Sequence, residues 1–182
     1  MDKENFHSAC ERGRTETAQL IIQHSKDVGI DLNAKERIYG QTAWHLACGN
    51  GKAETAQLII QSSNEFGIDL NAKSNSGETA LHRACMHGFY SADTDGTIKT
   101  IQMILKNWKE FGIDIAARDN HGQTALDLIK RELPEIHEDC AKVMNEVRKM
   151  LELEYSQIDV DLLTTHFGRS SETGLLRQYM PH

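Results

Sequence analysis

Histidine stands three residues before cysteine at His7/Cys10, His45/Cys48 and His82/Cys85, a spacing that places imidazole and thiol on one face of a helix. Two such pairs, brought together, would make a tetrahedral zinc site, and a thiol beside an imidazole is the beginning of a cysteine nucleophile. Each pair, however, sits in an echo of one pentapeptide, FHSAC, WHLAC and LHRAC, so the pairs recur because a larger unit recurs. Helices in a stack lie about 8–10 Å apart, which keeps the pairs from sharing one ion. A nucleophile would also need an exposed, low-pKa thiol and oxyanion donors, and the repeats supply neither. There is no phosphate-cradling glycine loop, no H-E-x-x-H and no G-x-S-x-G, so no catalytic residue, metal ligand or cofactor is expected. The adjacent acids Glu138 and Asp139 lie in a solvated charge run, and the nine histidines read as caps and surface residues rather than a pH sensor. An enzyme or metal protein built on the cysteine and histidine positions is kept as a rival reading.

The elements that position these residues are repeated. ETAQLIIQ at 54–61 also stands letter for letter at 16–23, and a looser copy, KTIQMILK, runs over 99–106. Asn33 and Asn71 lie 38 residues apart, Cys48 and Cys85 37 apart, and Asn71 and its counterpart Ala116 45 apart. The period is about 37 with local insertions. The largest adds eight residues at 89–96, FYSADTDG, between two helical patterns.

At 182 residues, with 39% hydrophobic and 26% charged residues, the composition is that of a globular chain able to bury a core. No run approaches the roughly 18 apolar residues of a membrane span, and the polar start does not resemble a signal peptide. An intracellular, cytoplasmic or nuclear, protein is expected. Of the four cysteines, Cys10, Cys48 and Cys85 hold one position in successive units; that is too far apart for disulfides, which need Cα atoms within about 7 Å. They are expected as free, buried thiols in a reducing compartment. The net charge of −7 argues against a nucleic-acid partner. Residues 131–161 carry nine acids and four bases, so the acidity is concentrated near one end.

Residues 29–66 decode one unit. An extended entry and a polar tip closed by Gly40 predict a β-turn finger. Thr42 then caps a helix of about two turns that Gly51 ends. The second helix, AETAQLIIQSSNEF, is apolar on more than one side and must be sandwiched between neighbours. A pair of short helices cannot hold itself together in water, so each unit needs the next.

GETALHRACMHG at 77–88 resembles the G-x-T-P-L-H-x-A-A-x-x-G signature of ankyrin repeats, as do GQTAWHLACGNG at 40–51 and GQTALDLIK at 122–130. Ala43, Ala80 and Ala125 stand where the family has proline, Asp127 stands for the histidine, and the fourth unit is stretched around Pro134. The resemblance implies an all-α solenoid of stacked helix-turn-helix units with β-turn fingers. It would span residues 1–155, with repeats at 5–28, 29–66, 67–111 and 112–155 and a tail at 156–182. The first unit lacks a finger, as an N-terminal cap would. In the tail, Ile158, Asp159 and Gly168 echo Ile113, Asp114 and Gly122, so a partial fifth finger is one reading of it, and ETGLLRQYM is either a short helix or a peptide ordered by a partner.

The resemblance further implies that His45 and His82 bond near Thr42 and Thr79, that the cysteines act as small core residues, and that the protein is a non-catalytic module gripping another protein in a concave groove. The partner-binding candidates are Lys35, Arg37, Tyr39 and Gln41 in the second unit, Lys73, Asn75, Glu78, Arg83, Met86 and His87 in the third, and Arg118, His121 and Gln123 in the fourth. Phe89 and Tyr90 in the insertion are further candidates, either as contacts or as rings folded back on the next unit. Five bases (Lys35, Arg37, Lys73, Arg83, Arg118) against Glu78, or against three acids once Glu36 and Asp119 are added, favour an acidic partner segment. The alternative is a regulatory or inhibitory subunit acting through the tail at 156–182.

Overall fold

Helices of two to four turns gain their stability from the neighbours that cover them, and here they stack. The structure, a computed structural model, describes residues 5–90, 94–132 and 138–168. In chain order these form α1 (Phe6–Arg12), α2 (Thr15–Val28), α3 (Ala43–Gly49), α4 (Ala53–Phe66), α5 (Ala80–Tyr90), α6 (Thr94–Phe111), α7 (Ala125–Glu132) and α8 (Glu138–Gly168), with no strand among the described residues. Helices α1, α3, α5 and α7 pack in one row and α2, α4, α6 and α8 in a second, behind it. The result is an all-α repeat solenoid.

The core follows the repeat. Small residues at equivalent places, Ala9, Ala47 and Ala84 with Cys10, Cys48 and Cys85, are completely buried and let the first-row helices approach closely. Ile59, Ile60, Ile101 and Ile104 are also fully buried, as second helices enclosed on several sides require. Between units, Gly29 and Gly67 end α2 and α4 at φ 68° and 66° and return their N–H to Ser25 and Ser63 carbonyls, a left-handed cap that turns the chain outward into the finger.

Two expectations are corrected. The exposed loop expected at 89–96 is largely helix: α5 runs on to Tyr90 and α6 begins at Thr94. Gly13 and Gly51 turn left-handed at φ 70° and 64° just beyond their helices, whereas Gly88 stays inside α5 with Met144 of α8 seated on it. Phe89 is consequently a core residue, 5% exposed, while Tyr90 is 78% exposed with its ring edge-on to Phe89.

The fifth finger is likewise replaced by helix, since α8 continues unbroken from Glu138 to Gly168. The first and second fingers are each tied to the next by an asparagine. Asn33 Nδ2 donates to the Gly67 carbonyl at 2.8 Å while its Oδ1 accepts from Asp69 N–H at 2.8 Å. Asn71 does the same with Gly112 and Asp114. Ala116 stands at that position in the third finger and has no amide to hold another. The stack is closed instead by α8, which buries Met144, Val147 and Leu151 completely and contacts α5, α6 and α7. Tyr155 Oη donates to the Ile115 carbonyl at 2.6 Å, and Trp108 Nε1 donates to Glu154 at 2.9 Å. Pro134, the Cys140 side chain and the tail beyond residue 168 lie outside the described residues.

Candidate functional site

Fingers are stretches of backbone without helical hydrogen bonds, so each needs side chains to satisfy its polar groups. In the first finger Glu36 does this, accepting from the N–H groups of Ile38, Tyr39 and Gln41 at 2.6, 2.6 and 3.1 Å. Desolvation pushes the Glu36 carboxyl upward, but these three donors outweigh it and hold it below the usual range. Asp119 plays the same part in the third finger for His121 and Gln123, and Ser74 in the second for Glu78.

Successive fingers are then laced edge to edge. Asn75 N–H donates to the Tyr39 carbonyl and Asn120 N–H to Ser76, at 2.8 and 2.9 Å. Lys35 Nζ donates to the Lys73 carbonyl at 2.7 Å, and Lys73 Nζ to the Arg118 carbonyl at 2.8 Å. Gly77 lies at this seam with φ 77°, where an added Cβ would come within 2.7 Å of Asn120 N, a backbone atom that cannot move aside. Gly29, also left-handed, has open space around it. Gly29→Ala is therefore expected to cost about 1 kcal/mol from its backbone conformation alone. Gly77→Ala is expected to cost about 1–3 kcal/mol more from overpacking at the seam, measured by urea unfolding; equal losses at the two sites would show that the seam contributes nothing.

The histidines are structural hinges between helix and finger. Thr42 N–H donates to His45 Nδ1 at 3.2 Å, so Nε2 carries the proton and donates to the Glu78 carbonyl of the next finger at 3.0 Å. His82 repeats this with Thr79 and the Gln123 carbonyl. Asp127 in the fourth unit makes the local cap, to Thr124, with no further finger among the described residues to reach. Burial lowers His45 below the ordinary imidazole value; the bond to Glu78 opposes the shift and the Arg83 charge adds to it. The unfolded chain thus binds this proton more readily than the folded one. The stabilising contribution is complete above the unfolded pKa of about 6.5 and is lost as pH falls below it. From pH 7 to 5 the unfolding free energy measured by urea titration is expected to drop, by no more than about 1.4 kcal/mol per pH unit for this single proton, with a shallower fall in His45→Gln.

Cys10, Cys48 and Cys85 are free and buried. Burial pushes the Cys10 and Cys85 thiols up to about 12 and Cys48 well above its ordinary value, the reverse of what a nucleophile requires. Among the described residues no group of three or more His, Cys, Asp or Glu side chains is placed to hold a metal ion, and no helix is long and apolar enough to cross a membrane.

Between the fingers and the first-row helices lies a concavity of about 670 Å³, whose lining includes Tyr39, Gln41, His45 and Arg83. Tyr39 is 64% exposed at the first fingertip beside Ile38, 75% exposed. Arg83 lies over Gly49, where an added Cβ would be 3.3 Å from Arg83 Cβ. Its Nη1 is 3.8 Å from Glu78 and 3.9 Å from Met86 Sδ, and its buried Nε has no partner. The structure also brings in Asn5, Ser8, Glu11, Leu46, Gly49 and Asn50, residues the sequence reading passed over. Their signal was the register itself, since Glu11, Gly49 and Met86 hold one repeat position.

The remaining candidates divide by exposure. Lys35, Arg37, Lys73, Asn75, Arg118 and His121 are exposed along the fingers, and Glu78, Met86, His87 and Gln123 are half-buried. His87 Nδ1 lies 2.8 Å from Thr97 Oγ1 on α6. Gln41, at 5% exposure, is buried beneath the first finger and is not presented to solvent as a partner contact requires, and of the two readings of Phe89 the structure shows the ring folded into the core.

A family model describing ankyrin repeats in three copies matches residues 6–94. Among curated proteins none matches the chain. The matched stretch takes in α1 to α5 and the first two fingers, and the same alternation of paired helices and fingers continues through α7. Residues 6–94 belong to the ankyrin-repeat family.

Proposed function

We propose that the protein is a non-catalytic binding module that grips a partner protein in the groove between its fingers and first-row helices. Ankyrin repeats are generally protein–protein interaction modules and typically non-catalytic. The observation that favours the groove is its surface chemistry. Tyr39 and Arg83, of kinds enriched at interfaces, line a concavity of about 670 Å³ whose backbone is held by the lacing of the fingers, with Met86 beside Arg83 and the exposed Ile38 beside Tyr39. Its shape is therefore set before a partner arrives, which lowers the ordering cost of binding.

Charge supports an acidic partner segment in a more local form than a net count suggests. With Glu11 and Asp127 included, the face carries as many acids as bases. But Glu36 and Asp119 are turned into the fingers to accept backbone N–H groups, whereas Lys35, Arg37, Lys73 and Arg118 remain exposed. The direct test is capture of partners from the source cell's lysate by wild type and by a Tyr39, Arg83 and Met86 triple alanine variant, with folding checked by circular dichroism. The groove reading expects one partner to be lost. Its retention by the folded variant would refute that reading and favour the rival one, action through the tail.

A further inference from the structure

Equivalent positions in the three fingers are held by Lys35, Lys73 and Arg118, so the repeat writes an unbroken row of cations along the rim, one per unit. All three are exposed. Their spacing is fixed by the lacing, because each lysine reaches the backbone carbonyl of the next residue in the row. Each ammonium spends one of its three donors on that bond and keeps two for a ligand. Arg118 uses Nη1 on the Gly122 carbonyl at 2.6 Å and stands 3.6 Å from Asp127, which leaves the rest of its fork available.

Building on the groove reading, we infer that this row reads an extended acidic segment of the partner with carboxylates at every third residue. Stacked units advance by about 8–10 Å. A polyproline II chain has three residues per turn and rises about 3.1 Å per residue, so positions i, i+3 and i+6 fall on one side about 9 Å apart. A β-strand puts i and i+2 on one side about 7 Å apart and drifts out of step. An α-helix places i and i+7 on one side about 10.5 Å apart, but its width of about 10–12 Å does not suit a rim one side chain deep. The matching ligand is therefore an acidic, proline-tolerant peptide lying across the fingers, each carboxylate meeting one cation.

The probe is a fluorescein-labelled nonapeptide with glutamate at positions 1, 4 and 7 separated by Pro-Ala pairs, read by fluorescence anisotropy against the full chain. Controls have the same composition with the three glutamates adjacent, and glutamine in place of glutamate. The spaced peptide is expected to bind about fivefold or more tighter than the clustered one, as two additional well-placed surface ion pairs allow, and to weaken with salt. Lys73→Gln should abolish the preference for spacing and Lys73→Arg should retain it, with circular dichroism unchanged in both. Equal affinity for spaced and clustered peptides, or no binding by either, overturns the inference. Loss of a captured partner from the triple alanine variant alongside a negative peptide result would leave the groove reading standing and remove only this one.

Discussion

Trp44→Ala is expected to cost about 3–5 kcal/mol of folding stability, in the upper range for single core truncations. Trp44 opens α3, is 1% exposed and is among the largest fully buried side chains of the described residues. Its ring packs in the continuous core, and its indole N–H donates to the Leu70 carbonyl of the second finger at 3.1 Å. Removing it leaves both a cavity between units and a buried carbonyl without a donor. Trp44→Phe separates the two contributions, since it keeps much of the ring volume but loses the N–H. That variant should lose about 1–3 kcal/mol, the cost of an unsatisfied buried group plus a smaller void. Urea unfolding by circular dichroism measures both. A loss under 1 kcal/mol for alanine would mean that the core is not packed around this ring. Because units in a solenoid hold only their neighbours, the loss should also lower cooperativity, with the α1–α2 unit melting ahead of the rest.

The second large effect is expected at His82. Alanine there removes the acceptor for Thr79 N–H and the donor to the Gln123 carbonyl, both within 3.2 Å of the ring. Two groups left unpaired at about 1–3 kcal/mol each put the cost at about 2–6 kcal/mol. Asparagine offers an acceptor at helix position N3 but is too short to span to the third finger, much as Asp127 caps Thr124 locally. His82→Asn should therefore recover roughly half of the loss. Amide exchange gives an independent readout: the third finger, residues 112–123, should lose protection in both variants, while the Thr79 amide should lose it only in alanine. Full recovery by asparagine would show that the reach to Gln123 carries no weight.

Much of this architecture is written in short, repeated patterns. The ankyrin resemblance implied the Thr42–His45 and Thr79–His82 bonds, and the structure shows both, with the ring at N3 of a helix that needs a cap. The burial of Cys10, Cys48 and Cys85 was legible too, because one position repeated through a stack of helices must face the neighbouring helix. What escaped the sequence depends on partners far along the chain. Gly88 matches Gly51 letter for letter, yet Gly51 turns left-handed and Gly88 stays helical under Met144, which lies more than fifty residues away. Phe89, the next residue of the same helix, is buried in the core. Ala116 was the available signal against a fifth finger, since it replaces the asparagine that ties one finger to the next. Its meaning became readable only once Asn33 and Asn71 were seen bonded across the seam.

By itself, the sequence determined the repeating unit, the all-α stack and the family, because periodic apolar positions and caps act over three to forty residues and every unit restates them. The tertiary structure decided how the stack ends and which side chains face solvent. Helix α8 closes the array through contacts with three other helices, none of which its own sequence names. Glu36 and Asp119 were drawn inward by unpaired backbone groups of the fingers, while Lys35, Lys73 and Arg118 were left outside. Exposure of a charge depends on where the nearest unsatisfied N–H lies, and that is a property of the folded chain.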